Sequence, residues 1–274
     1  MDQTGGKASA LSAPIRLLQI TDMHLSADPS ATLAGVVTDR SCRDVFALAA
    51  RYTPTPDRLL LTGDLSQDGS KASYGRVKAY AEALSVPARV IPGNHDAPEI
   101  MRACFSEGEV LWLDHELLGD WLLVMLNSMV PGSPHGHLSE SELDRLDQVL
   151  REVPHRHALI CLHHQPAPVG ARWLDAIGVD NGAELAERLE AHDRVRGVLC
   201  GHVHQEVHSR LKHFPLLASP STCIQFRPGS EGFALDARAP GYRWLTLRAD
   251  GHIESGVNRL DTVPAELDLA SGGY

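Results

Sequence analysis

The sequence is poor in aromatic residues and in cysteine, and it has no long apolar run. Five cysteines (Cys42, Cys104, Cys161, Cys200, Cys223) are an odd number, and no two have Cys-x-x-Cys spacing. That excludes a disulfide framework and a thiolate zinc site. The longest aliphatic patch, around Trp121 to Leu126, is far too short to span a bilayer, so no membrane partner is expected. The first thirteen residues have neither a basic start nor an apolar core, so they read as a loose tail rather than a signal peptide. The expected compartment is the cytoplasm. Excess positive charge is also missing. The net charge of −10 repels polyanions and argues against a nucleic acid polymer as partner.

What the chain does have is histidine: fifteen of them, against five phenylalanines, five tyrosines and four tryptophans. Imidazole is the side chain of metal ligation and of acid–base work near neutral pH.

Short apolar runs alternate with helical patterns over most of the 274 residues. Strands are expected at 15–20, 58–61, 89–91, 157–162 and 195–200, with a Gly119-Asp120 hairpin between 109 and 127. Helices are expected at 40–52, 71–84 and 182–192, with another carrying Pro98 in its first turn. A further helix over 138–152 should be capped by Ser139 with Glu142, and should bury Leu143, Leu146 and Leu150. From Gln205 onward the pattern is β-rich. No repeat or linker interrupts the chain, so residues 1–274 read as one domain. The fold class is α/β: two packed mixed sheets flanked by helices.

Each of five strands is followed by groups that bind metal. They are Asp22 and His24, then Asp64, then Asn94, then His163 and His164, then His202 and His204. Sites in α/β sheets form beyond the carboxyl ends of strands, so these five loops are expected to converge. Asp22 and His24 are two residues apart, as are His202 and His204, and in extended chain such pairs face one way. Of His163 and His164, one should point elsewhere. Seven donors exceed one tetrahedral ion but suit two ions sharing a carboxylate. Asp64, preceded by Gly63, is the expected bridge. Nitrogen and oxygen donors without sulfur favour Fe, Mn, Zn or Co. Two divalent ions outweigh two aspartates, which makes a local anion trap inside an acidic chain. Asp96 is expected to cap the helix that starts at Pro98. The other histidines (115, 135, 137, 155, 157, 192, 208, 213, 252) read as solvated or structural, with His137 in a Gly/Pro loop that borders a pocket.

The order Asp22-Met23-His24, Gly63-Asp64, Gly93-Asn94-His95-Asp96, His163-His164, Gly201-His202-Val203-His204 resembles the calcineurin-like metallophosphoesterase family. The resemblance implies a dinuclear centre. Asp22, His24, Asp64 and His204 would hold one ion, and Asp64, Asn94, His164 and His202 the other, with His163 as the alternative to His164. It implies His95 and Asp64 as catalytic groups, and substrate contact by His24, Asp64, Asn94, His95 and His204. It also implies a divalent or mixed-valence pair, Fe or Mn first, with Zn or Co as alternatives. The stretches 18–25, 62–70, 162–170 and 200–206, and above all 220–243, resemble the bacterial class III cyclic nucleotide phosphodiesterases. That implies a small anionic nucleotide as substrate and hydrolysis of 3',5'-cyclic AMP by a monomer or homodimer. The alternative is a broad phosphodiesterase for other cyclic nucleotides, glycerophosphodiesters or aryl diesters.

Overall fold

The computed structural model describes residues 13–154 and 156–273. The expected tail (all but residue 13) and His155 lie outside them.

Two six-stranded sheets face each other. The first runs Ile253–Arg259, Gly241–Leu247, Ile15–Ile20, Arg58–Thr62, Ala88–Ile91, Val110–Leu111. Its last four strands are mutually parallel, and the two C-terminal strands close the other side antiparallel. The second runs Val207–Leu211, Phe214–Ala218, Val195–Cys200, His157–Cys161, Trp121–Met125, His115–Leu118. Four parallel strands stand between two antiparallel edges.

The central strands are buried on both faces, so they read as apolar runs, yet their side chains still alternate. Leu18 and Ile20 face outward to the helices Thr38–Ala49 and Lys71–Ala83, with Leu59, Leu61, Val45 and Val77. Leu17 and Leu60 face inward to the second sheet, where Trp121, Leu123, Leu159 and Leu199 meet them. Leu122, Val124, Ala158 and Ile160 point the other way, against the helices Glu140–Glu152 and Gly182–Glu190. The result is four layers with three apolar seams.

The middle seam also carries polar bridges. Gln19 donates to Thr62 Oγ1 (2.7 Å) and to the Cys200 carbonyl (2.9 Å), just under the strand ends. Arg243 donates from the first sheet to the Ala218 carbonyl of the second (2.7 Å). Arg58 and Arg89 both grip Glu116. A polar group in an apolar seam is tolerated only in the register that satisfies it, so these contacts fix how one sheet sits on the other. Among the described residues no helix is long and apolar enough to cross a membrane.

The helix at Glu140–Glu152 shows the local logic. Ser139 Oγ accepts from the Glu142 N–H at 3.2 Å, as its sequence predicts. Glu142 does not return the bond in the expected box. Its carboxylate instead accepts from the Asn127 N–H (2.7 Å) and from Arg145, which ties the helix to the loop after Trp121–Met125. Replacing Ser139 by Ala should cost about 1 kcal/mol. Urea unfolding checks this: a lower midpoint with an unchanged slope is expected, and an unchanged midpoint would refute the cap.

Candidate metal centre

The parallel strands of both sheets point their carboxyl ends at one place, and the five expected loops meet there. Asp22, His24, Asp64, His163, His164, His202 and His204 are all buried, and Asn94 and His95 are half-buried beside them. The loops are stitched by their backbones. The Asp22 N–H donates to the Gly63 carbonyl (3.0 Å), His24 N–H to Asp64 (2.9 Å) and Gly201 N–H to His163 (2.9 Å).

Bringing so many side chains together requires unusual backbone. Asp22 (φ 55°), His24 (50°), Asp64 (48°), His202 (66°) and His204 (47°) all lie in the left-handed region. That region costs an L-residue roughly 1–2 kcal/mol, and such strain gathers where function demands it. Crowding is equally tight. A Cβ on Gly93 would meet Asp64 Oδ1 at 2.2 Å, and one on Gly63 would meet His163 Nδ1 at 2.3 Å. These two glycines let the carboxylate and the imidazole approach.

Backbone and side-chain acceptors set the tautomers. His204 Nδ1 donates to the Ile224 carbonyl (2.9 Å), His163 Nδ1 to the Thr62 carbonyl (2.8 Å) and His24 Nδ1 to Gln67 Oε1 (2.7 Å). Each ring, when neutral, therefore turns the lone pair of Nε2 toward the centre. Those lone pairs face other lone pairs. His24 Nε2 and His204 Nε2 are 3.2 Å apart, and His204 Nε2 is 3.3 Å from Asp22 Oδ1. Asp64 Oδ2 lies 3.8 Å from His24 Nε2 and 3.3 Å from His163 Nε2. Asp64 Oδ2, Asn94 Oδ1, His163 Nε2, His164 Nε2 and both nitrogens of His202 are buried without a hydrogen-bond partner. Acceptors crowded on acceptors are repulsive unless cations lie between them. The donor set fits metal ions, and His/Asp groups with convergent ligand atoms recur here: Asp22, His24 and His204; Asp22, Asp64 and His163; His163, His164 and His202.

Protonation follows the same logic. Burial, then the neighbouring imidazoles, hold His164 and His202 well below the usual histidine range, and burial takes His24 down to about 3. These rings are neutral, as ligation requires. Burial also opposes the charge of Asp64, but His163 and His24 overcome it and keep the carboxyl well below the usual carboxylate range. Burial likewise disfavours a charged His163, yet Asp64 and Asp22 push it up to about 9. Ligation at His163 Nε2 would displace that proton.

Three features differ from the sequence expectations. Asp96 caps no helix: the Pro98–Cys104 helix starts from Ala97, without a side-chain cap. Asp96 is buried and accepts from the backbone N–H of Leu65 (3.2 Å), Ser66 (3.0 Å) and Gly93 (2.9 Å), and from Tyr74 Oη (3.1 Å). It clamps the Asp64 loop to the Asn94 loop. Burial, then the Asp64 charge, push it up to about 7, and a cation on Asp64 would relieve the second cause. Next, both His163 and His164 turn into the centre, because the strand ends at Cys161 and its alternation ends with it. Ser128 Oγ meets His164 Nδ1 at 2.8 Å. Finally, His137 pairs with Asp180 (2.6 Å) rather than facing the cavity. Gln67, which orients His24, went unread in the sequence, although its place three residues after Asp64 on the same loop was a usable signal.

A cavity of about 390 Å³ opens over the centre, with Asn94, His95 and His202 at its floor. Its side walls include Trp173, Ile177, Phe233 and the Gly132–Pro134 loop.

Two outcomes are expected. Mn²⁺ added to chelator-treated protein at a hundred times its Kd should stabilise it by about 3 kcal/mol. A rise of a few degrees in thermal midpoint checks this, and an unmoved midpoint would contradict it. Asp96→Ala, which leaves three buried N–H groups without an acceptor, should cost about 3 kcal/mol, read by chemical denaturation. A loss below 0.5 kcal/mol would remove the clamp.

Comparison with known proteins agrees with this geometry. The calcineurin-like phosphoesterase family model matches residues 15–206. A Pseudomonas aeruginosa protein named 3',5'-cyclic adenosine monophosphate phosphodiesterase CpdA is 42% identical over 265 residues, covering 97% of each chain. The Escherichia coli K12 protein of the same name is 39% identical over 263 residues, covering 96% of each. Among solved structures, a dimetal phosphatase from Danio rerio superposes with a TM-score of 0.61 at 16% identity, over 90% of this chain and 99% of the other. A purple acid phosphatase from Lupinus luteus gives 0.60 at 12% identity, over 95% of this chain and 56% of the other. Those two likenesses are of fold alone. By the family model and by full-length relatives, the chain belongs to the calcineurin-like phosphoesterase family.

Proposed function

We propose that the chain is a metal-dependent phosphodiesterase that hydrolyses 3',5'-cyclic AMP to 5'-AMP. The observation that carries the chemistry is the Asp64 carboxylate lying between two sets of inward-facing lone pairs, at 3.8 and 3.3 Å. The names and full-length similarity of the relatives support the substrate.

In this reading Asp22, His24, Asp64 and His204 hold one ion. Asp64, Asn94 and His202 hold the other, together with His163, whose Nε2 is the nearer to Asp64 and whose Nδ1 the Thr62 carbonyl fixes. His164 shares that cluster and remains the alternative. Nitrogen and oxygen donors suit Fe or Mn, with Zn or Co as substitutes. When bound, such a pair supplies Lewis-acid polarisation of the phosphoryl oxygens and an activated water.

The chain's own groups do the rest. In this reading His24, Asp64, Asn94 and His204 contact the phosphoryl group, with Asn94 lining the cavity. The His95 backbone N–H donates to Asp64 Oδ1 (2.9 Å), and its ring stands edge-on to His24 at 5.0 Å. His95 lines the cavity, and in this reading its imidazole stands beside the leaving 3'-oxygen. There it donates a proton or a hydrogen bond as the P–O bond breaks. General acid catalysis of this kind is worth roughly 10²–10⁴-fold.

Turnover of cyclic AMP to 5'-AMP, followed by chromatography on the metal-loaded protein, tests the reaction. Intact cyclic AMP, with hydrolysis of glycerophosphodiesters or aryl diesters instead, would replace this substrate by the broader one. His95→Ala should keep its metal and lose about 10²–10⁴-fold in kcat; a wild-type rate would remove His95 from the mechanism. Asp64→Ala should bind neither ion, as read by elemental analysis, and two ions per chain in that variant would rule out the bridge.

A further inference from the structure

One stretch that the metal chemistry leaves unused is Phe226 to Phe233, beyond the residues that the family model matches. It builds a wall of the cavity. Trp173 and Phe233 line the cavity, half-buried, with ring centroids 5.3 Å apart at 64°. Phe226 lies behind them, fully buried and edge-on to Trp173 at 4.9 Å. Phe226 in turn stacks flat on His204, 4.1 Å away at 12°. The indole N–H of Trp173 donates to Ser230 Oγ at 3.1 Å, which fixes the ring's rotation. The chain has only four tryptophans and five phenylalanines, and three of these rings meet in one rigid array anchored on a residue of the metal centre.

The cavity is therefore two-ended. At the floor, Asn94, His95 and His202 meet the candidate centre, which suits a phosphate. Along the wall, Trp173 and Phe233 offer aromatic surface. Among the described residues no lysine, arginine, aspartate or glutamate lines it, so the wall has no countercharge for a charged head group. Planar π-faces and apolar edges bind a planar, neutral, polarisable group best. Glycerol or ethanolamine diesters have no such group, and a nucleobase does.

We infer that Trp173 and Phe233 form the stacking wall for the base of a cyclic nucleotide, and that this wall, rather than the metal centre, sets the preference for nucleotides over other phosphodiesters. The inference rests on the phosphodiesterase reading above and adds the residues that select the substrate. A purine, with the larger π-face, stacks better than a pyrimidine.

The test compares kcat/KM for 3',5'-cyclic AMP with that for abasic ribose 3',5'-cyclic phosphate, on metal-loaded full-length protein. Wild type should prefer cyclic AMP. Trp173→Ala should reduce that preference about 10- to 100-fold, mainly through KM, and Trp173→Phe should restore most of it. An undiminished preference, or equal loss on both substrates, would overturn the inference. If Trp173→Ala fails to fold or binds less metal than wild type, Phe233→Leu replaces it. A several-fold loss of preference is then expected, and an unchanged preference would again overturn the wall. Faster turnover of glycerophosphocholine than of cyclic AMP, lost in Trp173→Ala, would also overturn it, because the wall would then serve a quaternary ammonium. Failure of wild type on every diester would instead sink the phosphodiesterase reading itself.

Discussion

Everything in the centre follows from a shortage of protons. Carbonyls and an amide oxygen take the Nδ1 hydrogens of His24, His163 and His204, so each ring turns a lone pair toward its neighbours and toward Asp22 and Asp64. When the rings are neutral, His24 Nε2 and His204 Nε2 at 3.2 Å, and His204 Nε2 and Asp22 Oδ1 at 3.3 Å, have no favourable arrangement alone. Burial raises the cost, because the low local dielectric strengthens each repulsion. Cations remove it, and the fold is arranged around that need.

The arrangement is expensive in backbone terms. Five left-handed non-glycine residues stand at the tips of loops, two of them flanking Met23 and two flanking Val203. The surrounding layers hold them there. Gln19 ties Thr62 to Cys200 beneath the centre, so the strands that lead to Asp64 and to His202 cannot drift apart. Asp96 grips three backbone N–H groups from two different loops and sets the Asn94 loop against Asp64. His204 carries the centre's geometry outward through Phe226 to Trp173, so the reacting end and the recognising end of the cavity share one framework.

Much of this was legible in the residues. The strands announced themselves by apolar runs that end in Thr-Gly-Asp, Pro-Gly-Asn-His and Gly-His-Val-His, and the rule that sites form past strand carboxyl ends gathered them. The two-sheet architecture followed from the alternation and the β-rich end. What escaped depends on contacts between distant segments. Asp96 has the position of a helix cap, and nothing local reveals that Leu65 and Ser66 would aim their N–H groups at it. His163 and His164 should have parted company under strand alternation, but the strand stops at Cys161 and the rule stops there too. The aromatic wall was invisible because Trp173 sits in a four-residue helix and Phe233 in a loop, with no periodicity linking them.

Two cations sharing Asp64 would reconcile every contact in the centre. Anomalous scattering from crystals grown with Mn²⁺ tests this most directly. It should show two peaks about 3.5–4 Å apart, one beside Asp22, His24 and His204 and the other beside Asn94 and His202, with Asp64 between. A single peak, or two peaks that leave Asp64 without a metal on either side, would contradict it.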